Sequence, residues 1–353
     1  MRFTRPFVAL AAIALVLSAC GGGSPSPSAS TAESMAPESM APESMAPSEA
    51  AMPDKLVIGF VPSTEAQALV ESIQPLADYL TQQLGIPVEG FVSNDYTGLV
   101  TAMETGQAQI GALPPYGMVQ AIDRAGAEVI LQSERFGSGT YHTQFFTNNP
   151  DKYCTDSPPV ANTRVISDAD VEFLNCNGTD RANSDTPEGP IGLDALDNLD
   201  PGTNFSFVEE TSSSGYIFPA TVLVNMGIDP ETDINPIFAG SHDGSVIAVC
   251  TGDAEVGVSF DDARTIATTD CNMHDNDVVF AYGPEIPNDG IAVSGDLPDE
   301  LKANIKQALL DYAQTDDGKQ VLDDIYQITA FTDPNVDALQ LVRDAVDKLG
   351  YSG

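Results

Sequence analysis

The sequence predicts an α/β protein built from two strand–helix units in series. Three observations point there. Short unbroken apolar runs alternate with longer segments whose apolar residues fall on one helical stripe. The links between them are short, which favours parallel strands covered by helices. The alternation breaks over residues 148–190, a stretch rich in Asn, Asp, Pro and Thr, and then resumes.

Residues 56–61, Leu-Val-Ile-Gly-Phe-Val, form a run expected of a strand buried on both faces. Pro62 ends it, and Ser63 or Thr64 can cap the next helix. From 65 to 84 the apolar residues Leu69, Ile73, Leu76, Leu80 and Leu84 make one stripe, stopped by Gly85. Strands follow at 88–92, 109–113 and 128–131, with helices at 96–104 and 116–124. Residues 148–190 read as a loop insertion. Beyond it come strands at 204–209, 234–239, 256–260 and 272–282, with helices at 214–226 and 241–250. Segments 297–313, 318–326 and 336–348 read as a closing helical tail.

The N-terminus carries a different signal. Arg2 and Arg5 precede an apolar stretch over 7–17, too short for a spanning helix of about 20 residues. Leu17-Ser18-Ala19-Cys20 then reads as a bacterial lipobox, with Cys20 the lipidated residue. Residues 1–20 are the expected signal peptide. Residues 21–53 are the expected linker, with Glu-Ser-Met-Ala-Pro three times in tandem. Its regular prolines and polar residues leave little to bury. A coil of about 33 residues spans roughly 30 Å, enough to let a globular body move above a membrane.

Composition narrows the function. The chain has 353 residues, 42% of them hydrophobic, enough to bury a sizeable core. It holds 52 acidic against 14 basic residues, a formal −38. That argues against nucleic acid, which needs clustered Lys and Arg, and against a basic patch on anionic lipid. It leaves room for a small anion held by local dipoles. Cys154, Cys176, Cys250 and Cys271 remain after lipidation and, in an exported chain, are expected to pair. Three connectivities are possible. The local pairs Cys154–Cys176 and Cys250–Cys271 each close about 20 residues, worth roughly 3 kcal/mol. No Cys-x-x-Cys or His-Glu-x-x-His spacing points to a metal. Neither a phosphate loop, a dinucleotide fingerprint nor a nucleophile elbow is present. No nucleophile–base pair is visible, so no cofactor and no catalysis are expected.

Open α/β sheets bind ligands where strand ends feed helix N-termini. Four such loops carry polar residues. Glu210-Thr211-Ser212-Ser213-Ser214-Gly215 offers consecutive hydroxyls and backbone N–H groups, an anion cradle without formal charge. Ala239-Gly240-Ser241-His242-Asp243 puts His242 at a helix start. Ser259-Phe260-Asp261-Asp262 and Pro287-Asn288-Asp289-Gly290 add carboxylates.

Together these loops resemble those of the substrate-binding proteins of phosphate/phosphite/phosphonate ABC transporters, the phosphonate-binding protein family. The likeness covers about 55–345. It rests also on residues 56–62, on Gln74-Pro75-Leu76-Ala77-Asp78-Tyr79-Leu80 and on Asn94-Asp95-Tyr96-Thr97-Gly98-Leu99-Val100. It implies a type II periplasmic-binding-protein-like fold, two α/β lobes with a ligand cleft between them. Lobe one is expected at 54–137 and 291–353, and lobe two at 138–290. The resemblance places the oxyanion on Ser212, Ser213, Ser214 and His242, and the aromatic wall on Tyr96 and Tyr141 with Thr143 two residues on. Asp261 and Asp289 become the ligand-side carboxylates. Ser213 stands where relatives often carry Thr. The implied partners are a phosphorus oxyanion, an ABC permease and, through Cys20, the outer face of a membrane, with the protein a monomer. A ligand-sensing lipoprotein, or a binder of another small oxyanion on the same fold, is the alternative reading.

Overall fold

The structure, a computed structural model, describes residues 52–64, 66–155, 158–166, 169–176, 189–267 and 271–351. The expected signal peptide, Cys20 and nearly all of the expected linker lie outside the described residues.

The first unit follows the expected order. It comprises β1 (Leu56–Phe60), α1 (Ala66–Leu84), β2 (Val88–Val92), α2 (Tyr96–Glu104), β3 (Ile110–Leu113), α3 (Pro115–Ala125) and β4 (Glu128–Glu134). Leu69, Ile73, Leu76 and Leu80, the stripe of α1, are all buried. Asp95 caps α2 by accepting from the Gly98 N–H at 2.6 Å. Pro115 starts α3, and Gly126 ends it at φ 60°, a conformation glycine adopts at little cost.

The second unit holds β5 (Thr140–Thr147), α4 (Pro150–Tyr153), β6 (Pro159–Ile166), β7 (Ala169–Cys176), β8 (Asn204–Phe207), α5 (Phe218–Asn225), β9 (Asn235–Phe238), α6 (His242–Cys250), β10 (Val256–Phe260), α7 (Met273–Asn276) and β11 (Val278–Pro287). The chain then runs through β12 (Gly290–Val293), α8 (Asp299–Tyr312), α9 (Asp316–Tyr326), β13 (Ala330–Thr332) and α10 (Leu339–Leu349).

Two sheets form. One has the order β13-β4-β12-β3-β1-β2, the other β6-β7-β11-β5-β10-β8-β9. The molecule is therefore a two-lobed α/β protein. The chain crosses between lobes over residues 135–139 and again over 288–289. The first sheet is not wholly parallel, as the alternation suggested. β1 runs parallel to β2 and β3, but β12 lies antiparallel between β3 and β4. The returning chain enters from the far lobe, so its first strand runs the other way.

Residues 148–190 are more than a loop. β6 and β7 make an antiparallel hairpin, which joins the second sheet through Asn175 and Val279. Polar Arg164 and Asn175 are buried with Phe173, while apolar Val160 and Val165 are exposed, so its inward face is not an apolar stripe. Central strand β5 was hidden among polar residues, and the segment expected as strand from 272 begins with α7. Both local disulfides form, Cys154–Cys176 beside the hairpin and Cys250–Cys271 from α6 to the segment before α7. The closing helices are not a separate tail. α8 and α9 pack on α1, while α10 packs on both α3 and α5. Among the described residues, no helix is long and apolar enough to cross a membrane.

Candidate ligand site

The two crossovers are laced together. The Asn288 N–H donates to Gly139 O at 2.9 Å, and its Nδ2 donates to Ser133 O and Ser138 O at 3.1 and 2.9 Å. The Ser133 N–H donates to Asp289 O at 2.9 Å. Beside this hinge lies a cavity of about 360 Å³, walled by both lobes.

One wall is the serine turn after β8. Ile217 N–H reaches back to Ser212 O at 3.0 Å, which opens the first turn into a wide π-type loop before α5. Such widened turns are rare in helices and frequent at functional sites. Gly215 is required there, since a Cβ would lie 2.4 Å from the Val208 side chain. Ser212 Oγ accepts from the Gly215 N–H at 3.2 Å. Ser213 Oγ accepts from the Tyr116 N–H of lobe one at 3.0 Å, so its own proton is left to donate. Ser212, Ser213 and Ser214 are all buried and all line the cavity.

His242 opens α6 from a Ser241 cap, whose Oγ accepts from the Gly244 N–H at 3.2 Å. Its backbone N–H donates across the cleft to Ser63 O at 3.0 Å. Its Nδ1 lies 2.8 Å from Ser259 Oγ. Burial, helped by the nearby Arg135 charge, pulls the imidazole pKa down to about 3. The ring is therefore neutral at physiological pH.

Two acids face the cavity with partners already in place. Asp261 accepts from His142 N–H at 2.8 Å and lies 3.0 Å from His142 Nδ1. Burial pushes its carboxyl above the ordinary range, against the pull of His142. Asp289 is held by Arg135: Nη2 donates to Oδ2 at 2.8 Å, and Nη1 binds Oδ1. Arg135 also donates from Nε to Tyr326 O at 2.6 Å and from Nη1 to Asn288 Oδ1 at 3.1 Å. Asp243, beside His242, keeps a buried Oδ1 without a partner, and Asp323 and Asp324 stand exposed on the rim.

Tyr96, Tyr141 and Tyr326 complete the wall. Burial holds all three hydroxyls protonated, far above the usual phenol range. Tyr326 donates to Val61 O at 2.7 Å, and the Tyr96 N–H crosses the cleft to Glu209 Oε2 at 3.0 Å.

The structure thus brings Tyr96, Tyr141, Ser212, Ser213, Ser214, His242, Asp261 and Asp289 to one cavity. Thr143 stands apart from that wall. It is fully buried behind the serine turn, where its Oγ1 donates to Ser214 O at 3.0 Å. Arg135 escaped the sequence reading. Among the described wall residues it is the one Lys or Arg. The signal existed: Arg135 is the first residue past β4, at a strand's carboxyl end, but the strand was expected to stop at 131. Tyr326 was missed because its helix read as a tail. His142 was missed because β5 was not seen.

The family described as "ABC transporter, phosphonate, periplasmic substrate-binding protein" matches residues 58–339. The Phosphate-import protein PhnD of Mycolicibacterium smegmatis is 26% identical over 72% of this chain. The alignment spans 64% of that relative's length, less than two thirds. Among solved structures, a binding protein component of an ABC phosphonate transporter from Pseudomonas aeruginosa superposes with a TM-score of 0.66 at 21% identity, covering 84% of this chain and 86% of that one. PhnD1 from Prochlorococcus marinus, in complex with methylphosphonate, gives 0.66 at 18% identity, covering 84% and 98%. These two share the fold. With a family match over most of its length, on a two-lobed α/β body with a cavity walled by both lobes, the chain belongs to the periplasmic phosphonate substrate-binding proteins of ABC transporters, an extracytoplasmic family of binders rather than enzymes.

Proposed function

We propose that this protein captures a phosphorus oxyanion (phosphonate, phosphite or phosphate) between its lobes and delivers it to an ABC permease. Lobe one would comprise 54–137 and 291–353, and lobe two 138–290, with Cys20 anchoring the monomer to the outer face of a membrane. The observation that carries the reading is the donor set on the cavity wall. Ser213 spends its acceptor on the Tyr116 N–H and so presents a proton. A neutral His242 whose Nδ1 accepts from Ser259 carries its proton on Nε2. The Tyr96 hydroxyl is buried beside Ser212 and held protonated.

Such donors suit an anion in a protein of formal charge −38. They act at contact distance in a dry site, where hydrogen bonds to charge are strong. The repulsion from distant acids is screened beyond about 8–10 Å at physiological salt. The wall acids Asp261 and Asp289 already have protein partners, so they do not face the ligand as bare charges. The links Tyr96–Glu209, Tyr116–Ser213 and His242–Ser63 join the lobes, and each would form as the cleft closes.

Calorimetric titration of the purified protein with phosphate, phosphite and methylphosphonate tests this. One-to-one binding of at least one of them, weakened in His242→Ala, is expected. A folded protein that takes up none of the three overturns it.

A further inference from the structure

Among the described residues, two that are not glycine hold a positive φ, Phe136 at 52° and Gln327 at 55°. Both line the cavity. That conformation crowds Cβ against the backbone, so a side chain persists in it only where the surroundings enforce it, most often at binding sites. One hydrogen bond joins the two places. Arg135 Nε donates to Tyr326 O at 2.6 Å, and each strained residue is the next along its own segment.

Phe136 and Gly137 (φ 81°) form a two-residue turn between Arg135 and Ser138, whose N–H groups and carbonyls exchange bonds at 3.0 and 2.9 Å. Such a turn favours Asn-Gly or Gly-Gly. Here its first place holds a phenylalanine, 46% exposed at the cavity edge.

Gln327 ends α9, with its N–H on Asp323 O at 2.8 Å. A helix stop of this kind favours glycine. α3 and α10 stop in the same conformation, and there the residues are Gly126 and Gly350. Helix termination therefore does not explain the glutamine. Its side chain does: Nε2 donates to Thr265 Oγ1 at 3.3 Å. Thr265 Oγ1 gives its own proton to Asp262 O at 2.7 Å, which leaves it an acceptor. α9 packs on α1 of the first unit, and Thr265 follows β10 of the second sheet, so the bond spans the cleft.

We propose that Gln327 is the clasp of the closed cleft: its strained backbone is retained because a long amide at this place reaches Thr265 and holds lobe two over the bound oxyanion. It is a positioning residue, acting on the ligand through closure. The inference rests on the function proposed above and deepens it.

The test titrates the full chain with phosphate, phosphite and methylphosphonate, and follows dissociation of the tightest by tyrosine fluorescence. Gln327→Gly should weaken binding roughly threefold to tenfold, mainly through faster dissociation. The melting temperature of the ligand-free variant should hold or rise, since glycine adopts this φ freely and the clasp forms on closure. Gln327→Asn keeps an amide but is one methylene shorter, and should bind as weakly as Gln327→Gly. Thr265→Val should match both, and adding it to Gln327→Gly should cost nothing further. Wild-type affinity in Gln327→Gly or in Gln327→Asn overturns the inference. Additive losses in the double variant also overturn it, because the amide would then act on the ligand and not on Thr265. So does a ligand-free melting temperature that falls along with affinity, the mark of a helix cap alone. Wild type that binds none of the three anions sinks the proposed function and the clasp together, whereas intact binding with Gln327 irrelevant sinks the clasp alone.

Discussion

Arg264 and Arg135 each grip an aspartate, and they do different work. Arg264 and Asp262 are fully buried in lobe two, 0% exposed each. Arg135 and Asp289 are packed at the hinge but keep one face on the cavity. The core arginine spends itself entirely on protein. It donates to Asp262 from Nη2 at 2.6 Å, to Leu174 O and Asp277 O from Nη1 at 2.8 and 2.7 Å, and to Asn175 Oδ1 from Nη2 at 2.8 Å. The Phe173 ring lies 5.1 Å from its guanidinium carbon, within cation–π range. Arg164 reaches the same Asp262 at 3.2 Å, and together these charges hold that carboxyl far below its ordinary range despite burial. The pair ties β7 and β11 to the turn after β10. The hinge pair instead ties the two crossovers together and borders the cavity. Neighbouring acids Asp261 and Asp262 mark the divide: one borders the cavity, the other is locked in the core.

The largest effect should follow from breaking the core pair. Arg264→Leu leaves Asp262 charged and buried, and should cost about 3–5 kcal/mol in denaturant unfolding. Equal losses for Arg264→Leu and Arg135→Gln would erase the contrast between the two sites.

Asp277 sharpens it through pH. Both its carboxyl oxygens are buried without partners, and burial pushes its pKa up to about 8, against the pull of Arg264. The folded chain therefore holds this proton longer than the unfolded one. Its contribution is fully favourable below the ordinary carboxyl value of 3.8 and is lost as pH rises towards about 8. Wild type should lose up to several kcal/mol across that window from this group, and Asp277→Asn should flatten the slope. An unchanged slope in that variant would assign the pH dependence elsewhere. His242 acts in the opposite sense. With a folded pKa near 3 it remains neutral while the unfolded form protonates, so stability from it is lost as pH falls from 6.5 towards 3.

The disulfides, Cys154–Cys176 and Cys250–Cys271, belong to lobe two. Replacing either pair by serine should cost about 3 kcal/mol, read by thermal unfolding, with ligand affinity near wild type once folded. A smaller effect on stability than on affinity would move the staples from structure to function.

Site substitutions should show the reverse pattern. Ser213→Ala and His242→Ala each remove a hydrogen bond to charge, about 1.5–3 kcal/mol, so affinity should fall roughly tenfold to a hundredfold. Each also gives up one internal hydrogen bond, to the Tyr116 N–H or to Ser259 Oγ, so unfolding should cost about 1–2 kcal/mol less than in wild type. Arg135→Gln should cost about 1–2 kcal/mol in stability, well short of Arg264→Leu, because Asp289 can take up water from the cavity.

How far the sequence carried depended on what kind of signal each element leaves. The stripe Leu69, Ile73, Leu76, Leu80 is buried on one face of α1 and was readable as such. The serine turn and His242 were readable because hydroxyls and a histidine sit directly after apolar strands. The hairpin β6–β7 was not, because polar Arg164 and Asn175 are buried beside Phe173 while apolar Val160 and Val165 are exposed. β12 and β13 are four and three residues long, below any useful period. Arg135 depended on where β4 ends, and strand ends are set by pairing: Glu134 is kept in the strand by Ala330 of β13, nearly 200 positions away. Thr143 was assigned to the wall from its spacing to Tyr141, but the serine turn covers it: it is fully buried and its Oγ1 donates to Ser214 O.

The measurement that bears most directly on the account is a crystal structure of the protein with methylphosphonate. The phosphonate oxygens should lie within hydrogen-bonding distance of Ser212, Ser213, Ser214 and His242, with Arg135 still paired to Asp289. A phosphonate seated on Arg135 with Asp289 displaced, or bound outside the cleft, would contradict it.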